Sequence, residues 1–408
     1  MPREGYNHGF KVRNMPVSRF IDGNAAAAYG VKLCRPDVVC AYPITPQTPI
    51  VEYIADFIAR GEMASKYITI EGEHSAMMAT VAAASTGVRT FTATSSQGLA
   101  YMQEGLFYAA GSRLPIVMAV VNRSMGPPWT ILAGHDDAIA QRDTGWIQLY
   151  CGSGQEILDT VIQAYRVAED ERVLIPIMVC FEGFVTSHCY EQVIIPDQEE
   201  VDSFLPPYKP PYKLDVEDPM ILTTFAPPIH WMGYKKKHDE AMEAARKVIA
   251  EAEAEYAERF GRSHGGLFQA YRCDDAEAVV LTMGSLASTT KVVINKLREL
   301  GFRLGLLKLK SFRPFPREEL KQLLGNVKAV GVLERNYSVG GWGGAVFLEL
   351  RSAFYKVADG PRILNFVAGM GGRDVTPLEI EAVAKKTLRA AQEGKGEREV
   401  EWLLGEIG

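Results

Sequence analysis

Cysteine is scarce in this sequence: six residues in 408, at Cys34, Cys40, Cys151, Cys180, Cys189 and Cys273. No two are spaced as C-x-x-C, so no familiar zinc or iron–sulfur motif is present, and reduced, buried thiols are the expectation. Long apolar runs are missing as well. None reaches the roughly 18 residues of a membrane span. The polar, mixed-charge stretch Met1–Asn14 does not read as a secretory signal, so the cytoplasm is the expected location. There is no basic block either: 44 Lys and Arg stand against 50 Asp and Glu, a net charge of −6. That argues against nucleic acid as a partner.

What is there is the composition of a folded globular protein, with 47% hydrophobic and 23% charged residues, and at roughly 150 residues per domain the length suggests two or three domains. In the first half, short apolar strands alternate with helical stretches: Val38–Tyr42, Tyr67–Ile70, Thr90–Thr94, Ile116–Val121 and Val173–Cys180 against Asp22–Leu33, Ile50–Arg60, Glu73–Ser85, Gly98–Ala110 and Gln155–Asp170. This pattern predicts a parallel sheet covered on both faces. Eight prolines between Pro196 and Pro228 then suit an extended surface linker, and the charged stretch Lys235–Phe260 reads as a connecting helix. A second α/β pattern begins at Ala278, with strands at Leu304–Lys310, Lys328–Leu333 and Ile363–Val367. The expected organisation is a doubly wound domain over 1–195, a linker and helix over 196–265, a smaller α/β domain over 266–395 and a charged tail over 396–408.

In parallel sheets, ligands bind beyond the C-terminal strand ends. Four such ends carry unusual loops: Tyr42–Pro46, Glu71–His74, Thr94–Gly98, and Asn122-Arg123 running on to Trp129. Between them they offer a hydroxyl, carboxylates, helix N-terminal amides and a guanidinium. That inventory suits a small anionic substrate and a heteroaromatic cofactor.

These loops also carry a resemblance. Tyr42–Pro46, "EGEHSA" at Glu71–Ala76 and "LPIVMAVVNRSMGPP" at Leu114–Pro128 resemble the α subunit of the pyruvate:ferredoxin oxidoreductase, or 2-oxoacid:acceptor oxidoreductase, family. "QRDTGW" at Gln141–Trp146, "FLPP" at Phe204–Pro207 and "FRPFP" at Phe312–Pro316 occur in the same order, and the likeness runs from about Ser18 to Ala390. The resemblance implies a thiamine-diphosphate pyrimidine-binding domain followed by a transketolase-C-terminal-like α/β domain. It implies CoA-dependent oxidative decarboxylation of a 2-oxo acid to acyl-CoA and CO₂, with electrons leaving through iron–sulfur clusters.

Residue roles follow from the same resemblance. Glu73 is implied to hydrogen-bond the aminopyrimidine ring and so to help generate the cofactor's nucleophilic ylide. Alternatively it only complements a helix dipole, and Glu71 is a supporting residue. Thr45 and Arg123 are implied to bind the substrate carboxylate, for which the forked guanidinium suits a planar anion. Otherwise they are a turn hydroxyl and a surface ion pair. Pro43, Ile44, Ser95, Ser96 and Gln97 are candidate cofactor or pocket lining. The Gly-Asp-Gly element that holds diphosphate and Mg²⁺ in thiamine enzymes is absent from the sequence. The resemblance therefore implies a β subunit carrying that site, a γ subunit, a ferredoxin-like iron–sulfur subunit, and ferredoxin or NAD as terminal acceptor. No metal ligands and no iron–sulfur cluster are expected on this chain.

One departure bears on specificity. Where pyruvate enzymes of the family carry bulky or amide-bearing residues after the Gly-Pro-Pro segment, this chain reads Ile131-Leu132-Ala133-Gly134-His135. Leu132 and Ala133 are expected to open space beside the substrate for a bulkier 2-oxo acid, such as phenylglyoxylate or a branched one, with pyruvate the alternative. His135 is a candidate polar contact or a solvated loop residue. Two rival readings remain: a structural subunit that has lost catalysis, and a transketolase-type enzyme or decarboxylase without electron transfer.

Overall fold

The structure, a computed structural model, describes residues 17–393 and 399–405. The N-terminal stretch Met1–Asn14 and positions 396–398 and 406–408 of the expected tail lie outside them. The fold is mixed α/β, with two main sheets. The first has seven strands, in the order Ser311–Arg313, Ile147–Tyr150, Ile177–Glu182, Val117–Asn122, Thr90–Thr94, Val38–Ala41 and Lys66–Thr69. All pair in parallel except Ser311–Arg313. Val117–Asn122 and Ile177–Glu182 are buried at every position, because helices cover both faces of a parallel sheet. A separate antiparallel pair joins Val17–Ile21 to Glu191–Ile195.

Local sequence signals place most elements. Asp22 caps the helix Gly23–Cys34 by accepting from the Ala25 amide at 2.8 Å. Two expectations shift. The strand after Val173 begins only at Ile177, because Pro176 lacks the N–H a ladder needs. The helix expected over Gly98–Ala110 divides at Met102 into Ser96–Tyr101 and Gln103–Gly111.

The second sheet runs Val400–Trp402, Arg362–Val367, Ala329–Glu334, Ala278–Met283, Leu304–Leu309 and Phe268–Tyr271, parallel apart from the last. Part of the expected tail is thus a sheet strand. The long helix Pro228–Phe260 does more than connect. Ala245, Val248, Ile249 and Tyr256 on it belong to the core of the first sheet. Among the described residues no helix is long and apolar enough to cross a membrane. Of the six cysteines, five are buried, but Cys189 is exposed.

The two sheets are welded rather than tethered. Ser311–Arg313, from the "FRPFP" motif, leaves the second sheet and pairs antiparallel with Ile147–Tyr150 at the edge of the first. One apolar core runs from Met77, Leu106 and Trp146 to Leu281, Leu309, Phe312 and Phe347. Behind it Asp159, fully buried, accepts from Tyr256 Oη at 2.6 Å and from both Arg262 Nε and Nη2 at 2.9 Å, with His264 Nε2 at 2.8 Å.

A second polar seam joins the strand ends. Glu182, wholly buried, lies 3.2 Å from His135 Nε2 and 4.0 Å from Arg335 Nε, and accepts from the Ser285 amide at 3.0 Å. Gly284 (φ +63°) abuts this carboxylate so closely that a Cβ there would collide with it. Burial by itself drives a carboxyl upward, but the His135 hydrogen bond and charge, with Arg335 and the Ser285 amide, hold Glu182 down at about 2 from its ordinary 4.5. A depressed carboxyl stabilises the fold fully above its unfolded pKa and loses that contribution as pH falls through the folded one. The stability gap between wild type and Glu182→Gln is therefore expected to be full above about pH 4.5, on the order of 3 kcal/mol, and to narrow steadily towards pH 2. Urea midpoints of both proteins at pH 7 and pH 3 check this; an equal gap at both pH values contradicts it.

Candidate functional site

The chain runs from Val38–Ala41 to Lys66–Thr69 on one side, then crosses back to Thr90–Thr94 on the other. Such a switch leaves a crevice beyond the strand ends. The four loops singled out in the sequence follow four adjacent strands, so Thr45, Glu73, Gln97 and Arg123 rise from one sheet edge.

Arg123 follows the buried strand Val117–Asn122 and is itself only 6% exposed. Its Nη1 donates to the Thr45 carbonyl at 2.8 Å and its Nε to the Thr130 carbonyl at 3.2 Å; its Nη2 reaches Gln97 Oε1 at 3.5 Å. The Trp129 ring lies 5.6 Å from the guanidinium carbon. Burial presses the Arg123 pKa down, yet an arginine keeps its charge. Among the described residues no carboxylate makes an ion pair with it. The buried Asp137 carboxylate opposes that shift through its charge without pairing with the guanidinium, whereas buried charges normally have a counter-ion in contact.

Thr45 is exposed beside it, with no hydrogen bond to its hydroxyl among the described residues. Pro43 is exposed and Ile44 half-buried, its amide donating to Gln47 Oε1 at 3.2 Å. Asn24 fixes the same loop by donating to the Pro46 carbonyl at 3.1 Å.

Glu73 is the first residue of the helix Glu73–Ser85 and is half-buried. Its carboxylate takes no hydrogen bond from any described residue. It leans on Gly98, where a Cβ would stand 2.7 Å from Glu73 Oε1 and 2.6 Å from Thr94 Oγ1. The acid is thus seated in a niche that only glycine leaves open. Glu71 is exposed and accepts from Ser75 Oγ at 2.7 Å, a local contact.

Ser95 and Ser96 are buried and spend their hydroxyls on the scaffold. Ser95 Oγ donates to the Val121 carbonyl at 2.7 Å, and Ser96 Oγ reaches Gln97 Oε1 at 2.6 Å and the Ser124 carbonyl at 2.9 Å. Gln97 Nε2 holds the Gly126 carbonyl at 3.2 Å. Sequence reasoning missed Asp137. Fully buried, it accepts from the backbone amides of Ser96 (3.1 Å), Arg123 (3.0 Å) and Ala138 (2.7 Å), and from Asn122 Nδ2 at 2.8 Å. Burial raises its carboxyl to about 6. It ties the Gln97 loop to the Arg123 loop. Acidic residues opening a short helix, Asp136–Ala140, were the available signal, but the bonded partners are distant in sequence.

The Leu132–His135 segment is placed differently from the expectation. Ala133 is completely buried, and its carbonyl accepts from the Gly372 amide at 2.7 Å. Leu132 leans against Gly372. His135 is neither solvated nor open to the crevice: it is buried against Glu182, with its ring centroid 5.1 Å from that of Tyr150. The small residues there make room for the second domain.

A heteroaromatic base with a ring nitrogen fits the unpartnered Glu73 carboxylate in its Gly98 niche, and an anionic substrate fits Arg123. Comparison with known proteins identifies the family. Residues 29–254 match the thiamine-diphosphate-binding model of pyruvate flavodoxin/ferredoxin oxidoreductase, and residues 276–380 match pyruvate:ferredoxin oxidoreductase core domain II. The chain is 47% identical over 390 residues to pyruvate synthase subunit PorA of Pyrococcus horikoshii, covering 95% of this chain and 98% of that one. It is 46% identical over 392 residues to ketoisovalerate oxidoreductase subunit VorA of Pyrococcus abyssi, covering 96% and 98%. In fold it is similar to a 2-oxoglutarate:ferredoxin oxidoreductase from Magnetococcus marinus solved with 2-oxoglutarate, coenzyme A and succinyl-CoA bound (TM-score 0.72, 18% identity, 91% of this chain and 65% of that one). A split-gene transketolase, an inactive beta4 tetramer, shares the fold at TM-score 0.53 and 12% identity, over 91% of this chain and 99% of that one. The chain belongs to the 2-oxoacid:ferredoxin oxidoreductase family, as an α-type subunit.

Proposed function

We propose that this subunit supplies the pyrimidine side and the carboxylate-binding side of a thiamine-diphosphate site. There a 2-oxo acid and coenzyme A are converted to an acyl-CoA and CO₂, in the cytoplasm. The observation that carries this reading is a buried, unpaired Arg123 on the same sheet edge as an unpartnered Glu73 carboxylate. Bound there, thiamine diphosphate supplies the nucleophilic carbon that adds to the 2-oxo group and takes up the electrons released with CO₂. Glu73 takes and returns a proton at the pyrimidine ring nitrogen. Arg123 donates to the substrate carboxylate, and the Thr45 hydroxyl beside it supplies a further donor.

The sequence has no Gly-Asp-Gly, which supports a β subunit as holder of diphosphate and Mg²⁺. A γ subunit and a ferredoxin-like iron–sulfur subunit would carry the electrons on to ferredoxin or NAD. For the substrate, the pocket argument for a bulkier acid, phenylglyoxylate or a branched one, rested on the small residues around Ala133, and these lie beneath the second domain. A short aliphatic 2-oxo acid is the better reading. Pyruvate and 2-oxoisovalerate are two such acids, in keeping with the pyruvate synthase and ketoisovalerate oxidoreductase relatives.

Three outcomes test these assignments on the assembled enzyme. Glu73→Gln should keep the complex intact yet slow C2 proton exchange of the bound cofactor by roughly 100- to 10,000-fold, the usual worth of acid–base assistance. Wild-type exchange would place the carboxylate outside the reaction. Gly98→Ala should mimic part of this loss while leaving Glu73 in the sequence, since the added methyl evicts its carboxylate; unaltered activity would show that the niche is irrelevant. Arg123→Ala should raise KM for the 2-oxo acid by an amount worth about 2–5 kcal/mol. Lysine should restore only part, lacking the fork. These KM values follow from steady-state reduction of a viologen dye.

A further inference from the structure

The second domain contributes none of the residues assigned above, yet it grips the loop that carries Arg123. That loop leaves the first sheet at Asn122 and returns at His135, and it is closed at its neck by the Ser124 amide donating to the Leu132 carbonyl at 3.0 Å. The first domain holds this neck through Ser96 Oγ on the Ser124 carbonyl and Asp136 on the Met125 amide, and three further anchors come from the second sheet's strand-end loops. The Gly371 amide donates to Ser124 Oγ at 2.9 Å, directly beside Arg123. The Gly372 amide donates to the Ala133 carbonyl at 2.7 Å, and the His135 amide donates to the Arg335 carbonyl at 3.0 Å. Arg335 follows the strand Ala329–Glu334 and is 5% exposed. Its Nη1 donates to the Gly369 carbonyl at 2.7 Å, at the start of the turn that presents Gly371 and Gly372. Its Nε faces Glu182, the acid that also holds His135.

The Arg335 side chain therefore braces the turn directly, through Gly369, while the return of the loop is held by its backbone carbonyl and, through Glu182, by its charge. We propose that Arg335, through the Met370–Gly372 turn, is a positioning residue that sets where the Arg123 guanidinium stands for the substrate carboxylate. This rests on the reading of Arg123 given above. A carboxylate fork is sensitive to placement, since its two parallel hydrogen bonds need both nitrogens in register. Releasing the turn lets the Ser124 neck relax and removes that register. Substrate capture suffers, whereas proton transfer at Glu73, anchored on a different strand end, does not.

The test is a double-mutant cycle in the assembled enzyme, reading KM and kcat for pyruvate and 2-oxoisovalerate. Arg335→Gln should raise KM roughly tenfold, about what one or two lost hydrogen bonds are worth, with kcat within about twofold. Arg335→Lys should recover part. In an Arg123→Ala background, Arg335→Gln should add almost nothing, because residues acting through one another are not additive. Ser124→Ala removes the Gly371 contact without touching the buried ions, and should show the same KM effect if Arg335→Gln does not assemble. Additive effects, or losses in kcat with KM unmoved, would overturn the positioning role. If Arg123→Ala itself leaves KM unchanged, the carboxylate reading falls, and this one with it.

Discussion

A guanidinium held out of water without a carboxylate of its own is the constraint on which the rest of the site depends. Desolvating such a charge is costly, and backbone carbonyls from Thr45 and Thr130 compensate only in part. Asp137 lies behind Arg123 and is engaged by backbone amides and the Asn122 side chain. The fold thus leaves this guanidinium without a contacting acid and spends Asp137 on scaffolding, which is what the proposed carboxylate site needs. The six parallel strands of the first sheet make this arrangement possible, because each delivers its following loop to the same edge.

The second domain acquires a purpose from this constraint. Its strand Ser311–Arg313 completes the first sheet, its apolar residues share one core with it, and its loops end on the neck beside Arg123. Two bodies joined this way transmit small displacements, since close-packed interiors have little slack. The loop that carries Arg123 is therefore not structurally separable from the second domain.

Much of the fold was legible because its signals are local. The helix Glu73–Ser85 and the strand Thr90–Thr94 lie where apolar spacing places them, and Asp22 announces its helix by its cap. The unusual loops at Thr45, Glu73, Gln97 and Arg123 were recognisable from residue types at strand ends. Less readable were Ser96–Tyr101 and Gln103–Gly111, where the break at Met102 has no side-chain signature.

What the sequence determined by itself was most of the parallel strands and longer helices, the loops bearing titratable and forked side chains, and the family, all of which depend on neighbours in the chain. The tertiary structure alone decided that Ser311–Arg313 crosses to the other sheet and that part of the charged C-terminal stretch becomes a strand. It also decided that Ala133 and His135 lie under the second domain, and that Asp137 binds two loops together. In each case the deciding partner lies far away in sequence or in the other sheet: Leu149 for Ser311, Asn365 for Val400, Gly372 for Ala133, Ser96 for Asp137. Burial and hydrogen bonding are properties of assembled surfaces, and a residue's own type does not encode which surface will cover it.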